Sequence, residues 1–333
     1  MKAVILQESG STVLANIPLG ILPKQWSRIR VVQSGLCGTD VAKIFSSVLP
    51  ENHTKLLGHE FVGQIEDPNG NTAVSRGDWV VGMPLIPCGA CEYCRQQHQN
   101  LCVKADAIGR TINGSFAEYV DVPFNSLVRI DDFHEAYVLS DPLAVCIHAA
   151  SDVISNFNQK CLVIGDGTIG CMLAWFLHFN GCETWIKGLH QKQLCFMQKQ
   201  GINVIHADAH IPNSFFDRVY ETVGRTQSDT LRECLYAVCP SGHIIVLGVF
   251  SPDHIFPLNT RSLFIKEVQL FGANAYVPSE FHQAVSIIKE NKDFMTNFIS
   301  HRFPLSQFQD AVYAAKIKHN FTMKIVLEIG GIP

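Results

Sequence analysis

The stretch "KCLVIGDGTIGCMLAWFLHFNGCETWIKG" (Lys160–Gly188) decides the fold. Its apolar run KCLVIG ends in a glycine-rich turn, TIGCMLAWFLHFNG has the length and apolar content of a buried helix, and ETWIKG reads as a second strand. Gly165, Gly167 and Gly170 thus form G-x-G-x-x-G between a strand and a helix. In that setting the first glycine makes the turn, the second lets backbone approach a pyrophosphate, and the third allows close helix–strand packing. Thr168 and Ile169 open the helix, whose N-terminus faces the phosphates. The pattern points to a bound dinucleotide; without βαβ surroundings it would mark only a tight turn.

An acid that grips the ribose 2′-hydroxyl of NAD belongs about 20 residues further on, at the end of the second strand. The sequence there is IKGLHQK, with Gly188 in the acid's place and Lys187, His190 and Lys192 around it. A missing repulsion and nearby bases favour a 2′-phosphate, hence NADP(H) over NAD(H). The alternative is a solvated strand end and NAD(H) bound without its usual acid.

Working outward, HQKQLCFMQKQG, NVIHA, FDRVYETVG, TLRECLYAVCPSG, HIIVLGVF and VQLFGA continue the alternation of helical and extended segments. Such alternation means parallel βαβ units and a doubly wound α/β sheet, here over residues 141–275. A helix starts it, with Asp141 suited to cap and Pro142 to the first turn. The preceding part is β-rich, with KAVIL, SRIRVVQSG and FAEYVDVP as short strands; the following part carries a helix, SEFHQAVSIIKENK, and a final strand, TMKIVLEI.

A chain of 333 residues suits two domains. Its net charge of −4, with both signs interspersed, gives no basic stripe for nucleic acid and no polybasic membrane patch, so a small-molecule partner leads. The opening MKAVILQESGSTV has too short an apolar run for an export signal, and no stretch is long and charge-free enough for a membrane span. Twelve cysteines in such a chain argue for reduced thiols and a cytoplasmic location.

Cys88, Cys91, Cys94 and Cys102 share one short loop with C-x2-C-x2-C-x7-C spacing. Four thiolates saturate tetrahedral zinc and leave no open position, which makes that metal structural; an iron–sulfur cluster could use the same ligands. Elsewhere SGLCGTD and LLGHEFVG place Cys37, His59 and Glu60 in turns, and LSDPLAV offers Asp141. Cys, His and a carboxylate are catalytic-zinc ligand types, and three of them leave a fourth position open.

With GLCGTD, GHEFVG, the cysteine loop, GSFAEYV, DPLAV and GDGTIG in this order, the chain resembles the zinc-dependent medium-chain alcohol/polyol dehydrogenases, threonine and sorbitol dehydrogenases among them, over essentially its whole length. The resemblance implies a β-rich GroES-like catalytic domain of residues 1–140 and 276–333, and a Rossmann dinucleotide domain of residues 141–275. It implies two zinc ions per chain, one catalytic on Cys37 and His59 with Glu60 binding or approaching it, and one structural on the cysteine loop. Asp141, one methylene shorter than the family's glutamate, is either a further ligand, direct or through water, or a helix cap. Thr39 would bond the substrate oxygen and Asp40 would orient His59. Gly248, Val249, Gly272, Ala273 and Asn274 would flank the nicotinamide, and Lys324 the pyrophosphate. Many members carry a proton-relaying histidine where this chain has Ala42.

The implied activity is hydride transfer between a secondary alcohol, polyol or sugar and the nicotinamide, by a homodimer or homotetramer. A non-catalytic zinc- and nucleotide-binding protein, with a sensing or partner-binding role, is the competing reading, because Ala42, Asp141 and IKGLHQ depart from the pattern.

Overall fold

The structure is a computed structural model that describes residues 1–7, 10–46, 54–151, 158–224, 229–251, 253–317 and 321–331. In chain order its principal strands are β1 (Lys2–Leu6), β2 (Thr12–Asn16), β3 (Trp26–Leu36), β4 (Glu60–Asp67), β5 (Trp79–Gly82), β6 (Tyr119–Pro123) and β7 (Leu127–Ile130). There follow β8 (Lys160–Ile164), β9 (Glu183–Gly188), β10 (Asn203–His206), β11 (Phe216–Glu221), β12 (Val238–Val246), β13 (Gln269–Gly272), β14 (Ile299–Pro304) and β15 (Lys324–Glu328). The helices used below are α1 (Gly38–Ile44), α2 (Ser140–Ala149), α3 (Thr168–Phe179), α4 (Gln191–Lys199), α5 (Asp229–Ala237), α6 (Thr260–Lys266), α7 (Pro278–Glu290) and α8 (Phe308–Ile317).

Two units emerge, one of residues Met1–Asp141 with Val277–Pro333, the other of Pro142–Tyr276. The second unit holds a six-stranded sheet in the order β10-β9-β8-β11-β12-β13, parallel throughout. Cys161 to Ile164 of β8 are all buried, as a central parallel strand covered on both faces requires. In α3 every residue from Gly170 to Leu177 is buried, so the helix packs on all sides rather than along one stripe. The strand order reverses beside β8, and Gly165 leaves its end at the switch point where such sheets bind ligands.

The first unit is built on a seven-stranded sheet, β14-β15-β3-β4-β5-β7, with β6 also pairing β3. Its contacts are antiparallel except between β14 and β15. Ile29, Val31, Phe61, Ile65, Val80, Val120 and Val122 form one core; Leu36, Leu57, Phe116, Phe308, Ile325 and Leu327 form another. The sequence reading missed β14 and α8. ISHRFP breaks alternation with His301, Arg302 and Pro304, and takes its strand form from parallel pairing with β15. No helix among the described residues is long and apolar enough to cross a membrane.

Candidate active site and metal centres

Strand register assembles the first site. Gly35 of β3 pairs with Glu60, the first residue of β4, and Leu36 pairs across the other edge with Ile325 of β15. The residue after β3 (Cys37), the pair opening β4 (His59, Glu60) and the first residue of β15 (Lys324) therefore meet at one end of the sheet. Ligand atoms of Cys37, His59 and Glu60 all lie within 4.8 Å of one another.

Cys37 also precedes α1, where the Asp40 carboxylate accepts its backbone N–H at 3.2 Å and the Thr39 hydroxyl donates to its sulfur at 3.2 Å. Asp40 is fully buried and faces Nδ1 of His59 at 3.5 Å. Burial pushes the Asp40 carboxyl up, but the adjacent imidazole, with Lys43 and the Cys37 N–H, outweighs it and holds the group below the usual range. His59 is shifted the opposite way: burial lowers it, and Asp40 and Cys37 raise it well above an ordinary histidine. With Nδ1 turned to a carboxylate, Nε2 is the nitrogen left for a metal. One sulfur, one carboxylate-oriented imidazole and one carboxylate fit zinc with an open fourth position. Asp40→Asn keeps the shape and removes the charge, so we expect zinc affinity here to fall about 10–100-fold, read by competition with a chromogenic chelator.

Glu60 has a partner that the sequence did not reveal. Both its oxygens accept from the Lys324 ammonium, at 2.6 and 2.5 Å, with the two residues 2% and 4% exposed. Gly35 makes the room, since a Cβ there would overlap Glu60 Oε2. Burial pushes Lys324 down, yet Glu60, with Cys37 and Asp141, raises it above an ordinary lysine. Lys324, expected beside the pyrophosphate, is thus a buried partner of the metal-site carboxylate. Asp141 sits inside the first turn of α2 rather than capping it, and lies outside the set of mutually close ligand atoms. Ala42 lies on α1 and is exposed, offering no group to carry a proton.

The cysteine loop is equally compact. Cys91 Sγ lies 3.5 Å from Cys94 Sγ and 3.8 Å from Cys102 Sγ, and Cys88 Sγ lies 4.0 Å from Cys94 Sγ. A zinc tetrahedron with bonds of ~2.3 Å has sulfur–sulfur edges of about 3.8 Å, so the cage is sized for a single ion. A multinuclear iron–sulfur cluster would distribute its thiolates over several metals and further apart. Backbone N–H groups of Ala90 and Cys91 aimed at Cys88, with the Cys102 thiol, bring its thiol down to about 6. Burial pushes Cys94 up to about 12.

In the second unit, Gly165 has φ +118° and leaves no space for a Cβ beside Thr222, while a Cβ on Gly170 would overlap the Gly165 carbonyl. At Gly167 nothing lies within 4 Å of an added Cβ, so this is the open face of the turn. These glycines fit the three duties of the dinucleotide turn. Thr168 and Ile169 start α3 with Gly167 as its cap. Gly248 and Val249 follow β12, where Gly248 packs on the buried Glu221 carboxylate and Val249 is 73% exposed. Gly272 ends β13; Ala273 donates to Val246 O at 2.9 Å, and Asn274 comes next.

The bases of IKGLHQK behave differently from expectation. Lys187 is buried, as are its neighbours Ile186 and Gly188, and its ammonium is bound by Glu233 at 2.5 Å. Lys192 is exposed on the first turn of α4. His190 engages Asp166, the middle residue of Gly165-Asp166-Gly167: its backbone N–H donates to Oδ2 at 2.5 Å and Nδ1 lies 2.9 Å from Oδ1. An acid therefore does stand at the end of β9, supplied by the turn. The signal was a charged residue where the fingerprint asks only for a small turn.

Residues 23–132 match the alcohol dehydrogenase GroES-like domain. The chain is 28% identical to D-altritol 5-dehydrogenase of Agrobacterium fabrum, covering 98% of each chain. It is 27% identical to sorbitol dehydrogenase of Halalkalibacterium halodurans, over 98% of this chain and 99% of the relative. A putative zinc-binding dehydrogenase from Sinorhizobium meliloti 1021, solved bound to NADP, shares the fold with a TM-score of 0.88 at 22% identity, covering 98% of each chain. The domain match, the full-length relatives and the two clusters of metal-ligand residues agree: residues 23–132 form an alcohol dehydrogenase GroES-like domain, and the whole chain is similar to alcohol and polyol dehydrogenases.

Proposed function

We propose that the protein is a zinc-dependent oxidoreductase transferring a hydride between a secondary alcohol, polyol or sugar and a nicotinamide dinucleotide. The observation that carries this is the Cys37–His59–Glu60 cluster, with Thr39 beside Cys37 and Asp40 behind His59. Its relatives' names, D-altritol and sorbitol dehydrogenase, support a polyhydroxylated substrate. Zinc, when held by Cys37 and His59, would supply Lewis-acid polarisation of the substrate oxygen, and the nicotinamide would accept the hydride.

The chain's own residues do the rest. Thr39 Oγ1, exposed and beside Cys37 Sγ, accepts the hydrogen bond of the substrate hydroxyl and, as the C–H hydride departs, takes that proton while releasing its own. With alanine at position 42 the proton then passes to water or the ribose hydroxyls. Asp40 holds the His59 ring so that Nε2 stays turned to the metal. Lys324 pairs with Glu60 and positions its carboxylate, available as a third ligand or as a group near the metal. The test is zinc content and dinucleotide reduction with a panel of polyols and sugars, for the wild type and for His59→Ala. Turnover that needs zinc and His59 supports the reading; zinc retained without any turnover across the panel favours the non-catalytic alternative.

The NADP-bound Sinorhizobium structure favours NADP(H), as does the glycine at position 188; the carboxylate of Asp166 weighs the other way and is treated below. Twelve free cysteines suit the reducing cytoplasm. The reading also includes a homodimer. β13 is an edge strand with all four residues exposed, Leu270 and Phe271 at 41% and 40%, beside Phe264 and Ile265 of α6 at 82% and 62%. An apolar edge of this kind invites pairing with its own copy about a two-fold axis. Leu270→Lys should halve the mass seen by light scattering; an unchanged mass would move the interface elsewhere.

A further inference from the structure

We propose that Asp166, not a residue of β9, reads the 2′ position of the adenosine ribose, and that the protein therefore takes NAD(H) in preference to NADP(H). The inference rests on the dehydrogenase reading above and takes the opposite side from the cofactor preference expected from sequence.

Three observations carry it. First, the Asp166 carboxylate occupies the space of the side chain that β9 lacks at its end. A Cβ built on Gly188 would overlap Cβ, Cγ and Oδ2 of Asp166. The charge of the missing strand-end acid is thus restored within a side chain's reach of the same backbone position, from the phosphate turn instead of the strand.

Second, the carboxylate is held in place. Oδ2 accepts the His190 backbone N–H at 2.5 Å, Oδ1 meets the His190 ring at 2.9 Å, and Asp166 is 6% exposed. A carboxylate oxygen has two lone-pair directions, so one on each atom remains for a ribose hydroxyl. Third, two of the three bases expected to receive a 2′-phosphate are already engaged, Lys187 buried against Glu233 and His190 facing Asp166, the third being the exposed Lys192. A 2′-phosphate would meet a fixed negative charge with two of its three counter-charges committed, whereas a 2′-hydroxyl would meet an acceptor.

The measurement is fluorescence titration of the zinc-loaded protein with NADH and NADPH, which needs no substrate. The wild type should bind NADH more tightly by at least about tenfold, the equivalent of ~1.4 kcal/mol. Asp166→Asn keeps the size and the acceptor for His190 N–H but removes the charge, and should erase most of that ratio. Asp166→Ser combined with Gly188→Asp returns the acid to the strand end and should restore it; Gly188→Asp alone would collide with Asp166. A purely structural role for Asp166 would weaken both dinucleotides together and leave their ratio unchanged. NADPH bound as tightly as NADH by the wild type, or a ratio that survives Asp166→Asn, overturns the assignment while leaving the dehydrogenase reading intact. Binding of neither dinucleotide overturns both.

Discussion

Cys37→Ala is expected to lower kcat/KM for alcohol oxidation by at least about 10³-fold, since Lewis-acid stabilisation worth several kcal/mol is lost with the metal and each ~1.4 kcal/mol is tenfold in rate. The metal content should fall from two ions per chain to one, the two clusters being independent. The mutation removes the sulfur at the junction of β3 and α1, and also the acceptor that aims the Thr39 hydroxyl. Positioning and metal binding therefore fail together, and added zinc should not rescue the rate. Its effect on folding should be small, because the Asp40 carboxylate still accepts the backbone N–H of residue 37. Elemental analysis beside steady-state kinetics checks this. A Cys37→Ala protein that keeps both ions and most of its activity would remove the catalytic assignment of the whole cluster.

The cysteine loop should respond in the opposite manner. Cys94→Ala leaves the catalytic ligands untouched but takes the buried corner out of a four-sulfur cage. An ion held at 1,000 times its dissociation constant stabilises the folded state by about 4 kcal/mol. For a unit of this size that corresponds to a fall of about 10 °C in its thermal midpoint. Differential scanning calorimetry should show that fall in one unit only, and hydrogen exchange should speed up around residues 88–102. Turnover per folded molecule should hardly change at low temperature. Loss of turnover without loss of stability would mean that the loop takes part in chemistry.

What could be read from the sequence was what the chain keeps local. The turn glycines lie within six residues and the first three loop cysteines within seven, and in both cases spacing alone carries the geometry. The Cys37 and His59 turns were visible because each follows or precedes a strand. The side chains that complete these sites were not visible. Lys324 reaches Glu60 across 264 residues through the register of β15 on β3, and nothing near TMKIVL announces it. Lys187 looked like a surface base, yet the end of β9 is buried on both faces and the ammonium pairs with Glu233. Asp166 was in plain view, but its direction depends on Gly188 having no side chain, a contact 22 positions away. Sequence patterns thus located the backbone of each site, whereas the choice of partners for buried charges came from tertiary register.

The distance between Glu60 and Lys324 also bears on synthesis. The Pro142–Tyr276 unit is continuous and is complete long before Lys324 leaves the ribosome, so its parallel sheet can fold on its own schedule. The other unit has to wait. Until β15 arrives, β3 lacks one neighbour and the Glu60 carboxylate lacks its counter-ion at the place where zinc would bind. The nascent chain should therefore acquire its nucleotide fold before its metal-site geometry, and any arrest of translation between residues 277 and 323 would leave a half-built site of exposed thiol and carboxylate.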